Sequence, residues 1–315
     1  MTDILTIGAL PVTAFGLGCG LAGLAALALT ALLALRVCRV SMDAFARFAP
    51  LSVVLAFVMG RLLFVMGTPA MMTNPVRIIR FWEGGYSIIG AAIGFLLAAW
   101  LTEKLCGEKH HGLVSSASLA ILPAIAILRL FEGMISIGRG REIVHPAFKF
   151  LGVTDAATGT LVHPVYRYEF VFALVLFAVF LYILLRHSRE EAGRADFALS
   201  ILTVFSAGQM VLENMKNDLH MVISFVPIQL AAELFMFLLP LIVWLVKVQK
   251  GSHPMKKSRM AIIWLVLAAC IGLFVFMAFR TDRGAYKIVY YIVTMLCVSV
   301  MTLVNMTLCR LSRQG

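Results

Sequence analysis

Arg129 and Glu132 stand three residues apart inside an apolar run, "ILRLFEGMISIGRGR" (127–141), which closes on Gly138, Arg139, Gly140 and Arg141. An arginine at the middle of a membrane helix costs ~2.5–3.5 kcal/mol by insertion scales, so it faces a bundle interior or a cavity and has a partner. Glu132, at i+3, shares the helix face of Arg129 and suits that part. Arg61, within the apolar stretch "MGRLLFV" (59–65), raises the same question. Two chemistries answer it. One is an ion pair that ties helices together. The other is a phosphate clamp, in which planar guanidinium forks grip a lipid headgroup. Arg139 and Arg141 favour the clamp, because the glycines beside them allow close backbone approach.

Three further clusters carry polar groups at membrane depth. In "FWEGGYSIIGAAIG" (81–94), Gly84 and Gly85 break the chain just before an apolar run, and Gly90, Ala91 and Gly94 give that run a small-residue face. Such a face serves close helix packing. In "HPVYRYE" (163–169), Pro164 precedes a helix that Tyr168 and Glu169 open. A carboxylate in a first turn suits the helix dipole and a tyrosine suits the membrane interface. In "FSAGQMVLENMKND" (205–218), Gln209 and Glu213 lie at i, i+4 on one helix face, as helix-to-helix glue or as polar lining of a cavity.

The elements that must hold these residues are membrane spans. The chain has 315 residues, 61% of them apolar and only 14% charged, with a mean hydropathy of +0.95. Soluble domains carry about 25% charged residues. The long uncharged runs define an all-α, polytopic helical membrane protein. Nine spans are predicted, near 14–35, 46–67, 86–102, 114–136, 169–186, 197–214, 227–247, 260–279 and 286–308. Between the fourth and fifth, residues 137–167 are rich in Gly, Pro, Asp and Thr and read as a small extracytoplasmic cap. The first 35 residues contain no Lys or Arg, so they read as a retained first span rather than a secretory signal.

Placing the N-terminus outside puts 14 Lys and Arg in inside loops against 9 in outside loops. That bias sets the expected orientation. The formal charge of +11 fits loops facing anionic lipid, and no basic stripe on a soluble module invites nucleic acid. The six cysteines form no C-x-x-C pair, so neither a disulfide nor a metal site is expected.

The order of these features resembles the bacterial prolipoprotein diacylglyceryl transferase family. The resemblance begins at "IGALPVTAFGL" (7–17), passes through "MGRLLFV", "FWEGGYSIIGAAIG", "RLFEGMISIGRG" and "HPVYRYE", and ends at "SFVPIQL" (224–230). It covers about residues 5 to 247. Departures accompany it. Where the family has a His before paired small residues, this chain has Ile89-Gly90-Ala91. Phe15 replaces a Tyr. In the family's R-x-G-N-F-x-N-x-E-x-x-G pattern Arg129 and Gly140 are kept, Glu132 takes the Asn position and Ile137 the Glu position. Gln209 replaces an Arg, while Glu213 matches.

The resemblance implies a transferase-like seven-helix domain over 1–250, with an extra two-helix hairpin over 251–315. It implies transfer of the diacylglyceryl group of phosphatidylglycerol to the lipobox cysteine of a prolipoprotein, at the outer leaflet of the bacterial plasma membrane. No cofactor or metal is implied. Arg129, Glu132 and Glu213 become candidate catalytic residues. Arg61, Gly84, Gly85, Arg139, Gly140, Arg141, Tyr168, Glu169 and Gln209 become candidate binding residues for membrane lipid and the prolipoprotein signal peptide. A non-catalytic paralogue that binds anionic phospholipid or lipoprotein is the alternative, favoured by the missing His, Tyr and Arg. A transporter fits less well, since neither internal repeats nor paired broken helices are present.

Overall fold

The computed structural model describes residues 3–7, 10–68, 76, 79–80, 85–108, 111–135, 138–143, 146–155, 158–186, 195–217, 222–223, 226–251, 254–283 and 287–314. Among the described residues, nine helices are long and apolar enough to cross a membrane. They are α1 (Ala14–Leu32, running on through a π-helical turn Leu33–Val37), α2 (Met42–Met66), α3 (Ile88–Cys106), α4 (Gly112–Met134), α5 (Val165–Arg186), α6 (Ala195–Glu213), α7 (Ile228–Lys250), α8 (Lys257–Arg283) and α9 (Lys287–Gln314). Among the described residues three short antiparallel pairs accompany them: β1 (Asp3–Ile7) with β2 (Leu10–Thr13), β3 (Val153–Thr154) with β4 (Leu161–Val162), and β5 (Val222–Ile223) with β6 (Val226–Pro227). The chain is therefore the expected multi-pass helical membrane protein, and each helix overlaps one predicted span. The chain forms two compact units, residues 1–198 and 199–315.

Hydroxyls start the first three helices. Thr13 accepts from the Gly16 N–H at 3.1 Å, Ser41 from Ala44 at 3.3 Å and Ser87 from Gly90 at 3.2 Å. Such a cap is worth about 1 kcal/mol. Helix α4 is capped from another helix: the Glu103 carboxylate of α3 accepts the Val114 N–H at 2.9 Å and contacts His111 Nδ1 at 2.9 Å. A carboxylate there also meets the positive end of the α4 dipole.

In the first unit α4 is the most enclosed span, packed by α1, α3 and α5. Its core joins Phe48, Phe95 and Leu113 to small residues such as Ala22, Ala98 and Ala117. Lipid tails are as apolar as leucine, so close van der Waals fit rather than the hydrophobic effect holds spans together. The small face of α3 shows it. A methyl on Gly90 would sit 2.4 Å from the Met59 carbonyl oxygen, and one on Gly94 would sit 2.2 Å from that of Leu55. The two backbones of α2 and α3 touch at these points.

Gly94→Ala must push α2 and α3 apart. The expected cost is about 1–3 kcal/mol, read as a lower melting temperature of the purified protein. Gly23→Ala is the control: its methyl would meet nothing within 4 Å, and it should gain about 1 kcal/mol of helix propensity. Equal melting temperatures for the two variants would rule out the close approach.

The second unit is built on α6 from Leu199, with α7, α8 and α9. Trp244, Phe237, Phe274 and Met301 fill its core. Asn305 of α9, fully buried, donates to the Phe237 carbonyl at 3.3 Å. That bond ties α9 to α7 where an amide left unpaired in hydrocarbon would be expensive.

Candidate active site

Arg129 sits in the last part of α4 and is 6% exposed. Its Nη1 donates to Glu132 Oε2 at 2.6 Å, the i+3 pair expected from spacing. Its Nε lies 3.1 Å from Glu169 Oε2 of α5, a residue with no exposed surface. The helix of Glu169 starts at Val165, so this carboxylate is past the first turn and clasps Arg129 rather than merely offsetting a dipole. Two carboxylates thus hold one guanidinium between α4 and α5.

The cap stands directly on these two helices. Residues 138–143 run antiparallel to 161–166: Gly140 donates to the His163 carbonyl at 2.7 Å, His163 to Arg141 at 3.0 Å, Ile143 to Leu161 at 2.8 Å and Tyr166 to Gly138 at 3.0 Å. Gly138 has φ +73°, a conformation that side chains rarely adopt, and a methyl there would meet Tyr166 Cβ at 3.1 Å. Gly140 is buried in this ladder. Arg139 forms an ion pair with Asp155 across the cap. Arg141, partly buried, emerges from the same strand. Arg139 is therefore engaged within the cap, a pairing its flanking glycines did not announce.

Arg61 of α2 is 2% exposed. Its guanidinium donates to backbone carbonyls, Gly85 at 3.1 Å and Arg80 at 2.7 Å, and lies 5.9 Å from the Tyr86 ring centroid. It pins the approach to α3 onto α2. Gly85 has φ +82°, and a methyl there would strike the Phe64 ring at 2.2 Å. Gly84 lies outside the described residues.

Tyr168 accompanies His163: the hydroxyl and Nδ1 are 3.1 Å apart. Burial lowers the His163 pKa below its ordinary value near 6.5. The unfolded chain therefore binds a proton there that the folded cap resists. Stability contributed by neutral His163 is present above about pH 6.5 and falls as pH drops through the folded value. The protection of the amides of residues 138–143, measured against their base-catalysed intrinsic rate, should fall below about pH 6.5 in the wild type. His163→Gln should flatten that dependence; an unchanged slope would place it on another group.

In the second unit Gln209 is 1% exposed, and neither amide atom has a hydrogen-bond partner among the described residues. Glu213, one turn on, pairs with Lys216 at 2.8 Å. Three buried carboxylates among the described residues belong to no motif above: Glu233 of α7 at 2% exposed, Glu103 of α3 at 2% and Asp196 of α6 at 6%. A carboxylate inside an apolar span is itself the signal for the first. The second is recognisable only once α4 is seen to start beside it.

A multi-pass helical bundle with a buried arginine–carboxylate cluster under a small cap is the class of protein these features define. Residues 2–246 match the model of the prolipoprotein diacylglyceryl transferase family, and the chain belongs to that family. Relatives named phosphatidylglycerol–prolipoprotein diacylglyceryl transferase include one from Halalkalibacterium halodurans, 27% identical over 183 residues (56% of this chain, 62% of the relative). Another, from Lysinibacillus sphaericus, is 28% identical over 153 residues (46% and 55%). A third, from Corynebacterium diphtheriae, is 28% identical over 159 residues (46% and 55%). The chain thus spans somewhat over half the length of the relatives it matches.

Proposed function

We propose that this chain transfers the diacylglyceryl group of phosphatidylglycerol to the thiol of a prolipoprotein's lipobox cysteine. The observation that carries the reading is Arg129, buried and oriented at the α4–α5 boundary beneath the cap, at the family's arginine position. In the reaction the cysteine sulfur attacks the glyceryl carbon, the carbon–oxygen bond to phosphate breaks, and glycerol phosphate leaves. The thiol, with a pKa near 8.5, needs modest help to ionise, and its proton passes to a base. The leaving phosphate needs positive charge as its own charge grows. Arg129 supplies that charge, with Arg141 and Arg139 at the cap. Glu169 and Glu132 hold the Arg129 fork in place, and Glu132 is the carboxylate nearest to hand as base. Residues 1–250 form the transferase domain, and 251–315 a hairpin added to it.

A second reading has its own support. Ile89 and Gln209 stand where the resemblance expects a His and an Arg, and Arg129 is already held by two carboxylates. A paralogue that retains anionic lipid without chemistry fits those three facts. Purified protein, labelled phosphatidylglycerol and a lipobox peptide separate the two. Release of glycerol phosphate only with a thiol present, faster as pH rises toward 8.5, supports the transferase. Lipid retention with no release supports the paralogue.

A further inference from the structure

The cap has an apolar edge that the Arg129 cluster does not use. Its Pro146–Leu151 segment, PAFKFL, is a 3-10 helix. Phe150 is 82% exposed, Phe148 43% and Leu151 37%. Lys149, between the two phenylalanines, is exposed as well. Residues 146–154 contain no Asp or Glu. The helix is pressed onto the cap rather than hanging from it. Gly152 donates to the Lys149 carbonyl at 3.1 Å, and a methyl on Gly152 would sit 2.5 Å from Leu161 Cγ and 2.8 Å from Ile143 Cδ1. A row of rings sets its height above the spans. The Phe148 and His163 centroids are 6.5 Å apart, and those of His163 and Tyr168 are 6.1 Å apart. Tyr168 belongs to the first turn of α5. In that same turn the exposed Arg167 guanidinium lies 5.6 Å from the Tyr166 ring centroid.

We infer that this 3-10 helix is an interfacial anchor. Phe148, Phe150 and Leu151 enter the boundary between headgroups and acyl chains of the bilayer that α4 and α5 span, and Lys149 meets lipid phosphate. Three large apolar side chains exposed together on an extramembrane surface mark an interaction site. Their height names the partner. Phe148 stands one ring contact from His163 and two from the first turn of α5. That is the level where a span leaves the hydrocarbon, which tyrosine and arginine also mark at Tyr166 and Arg167. Aromatic and aliphatic side chains with a cation among them are the pattern of segments that lie in the interface plane. No acid within 146–154 offsets the charge of Lys149, which suits anionic phosphate. An anchor here fixes the height of the cap over Arg129. It holds whether the Arg129 site transfers lipid or only retains it.

The test places a genetically encoded, environment-sensitive fluorophore at position 150 of the full-length protein, in phosphatidylcholine vesicles with and without phosphatidylglycerol. Bromines near the top of the acyl chains should quench it at least about twofold more than bromines at the bilayer centre, as for a segment sunk ~5–10 Å into the boundary. The same fluorophore at position 158, in the exposed turn between β3 and β4, should be quenched by neither. Phosphatidylglycerol should increase the shallow quenching at 150. Lys149→Glu should remove that increment and change nothing in phosphatidylcholine alone. Positions 149, 150 and 158 are all exposed, so folding should persist, checked by the melting temperature. Equal quenching at 150 and 158, equal quenching by shallow and deep bromines, or an increment that survives Lys149→Glu overturns the anchor. So does a fluorophore at 150 that lipid leaves unquenched and that shifts to the blue only when an apolar signal-like peptide is added, which would make the patch a peptide site.

Discussion

Arg129→Ala is expected to abolish thiol-dependent release of glycerol phosphate and to destabilise the bundle by about 3–5 kcal/mol. The second effect follows from Glu132 and Glu169, whose carboxylates stay buried where Arg129 Nη1 and Nε had stood 2.6 and 3.1 Å away. Breaking a buried pair from one side costs that much because a charge is stranded. Loss of activity alone would therefore not separate a clamp from a collapsed fold. The triple variant Arg129→Met, Glu132→Gln, Glu169→Gln removes all three charges at nearly constant volume. It should recover most of the stability, since a buried ionic cluster replaced by packed neutral groups is often neutral or better. It should stay inactive. Arg129→Lys keeps a charge but not the planar fork, so it should hold the fold better than alanine without restoring turnover. Arg129→Ala that remains folded and fully active would falsify the clamp.

The same cluster marks the border of what the sequence discloses. Arg129 and Glu132 are legible because i, i+3 spacing and membrane cost act within one helix. Glu169 is 40 residues further on, and nothing in "HPVYRYE" distinguishes a dipole partner from a clasp across helices. The cap's extent was legible from its Gly, Pro and Thr content. The Arg139–Asp155 pair was not, because a hairpin register decides it. Arg61 shows another limit: its acceptors are backbone carbonyls, which every residue has and none advertises. The helix bounds lengthened by a turn at several ends, as α2 and α5 did, because Ser41 and the Pro164 turn start them ahead of the first strongly apolar residues.

Gln209→Leu should make the protein more stable and less capable at once. Both amide atoms of Gln209 are buried without a hydrogen-bond partner among the described residues, in a helix that a leucine would suit better. An unsatisfied buried polar group costs about 1–3 kcal/mol, so leucine should raise the melting temperature. Polar groups that weaken their own fold in this way are the ones expected to serve a ligand. Losing a buried donor that serves a ligand should slow turnover about 10²-fold. Gln209→Arg then divides the two readings of the chain. Glu213, at i+4, can steady a guanidinium introduced there. In a transferase turnover should rise more than lipid retention does. In a lipid-binding paralogue retention should rise and release stay absent. If Gln209→Leu neither stabilises the protein nor reduces lipid handling, Gln209 is packing and serves no ligand.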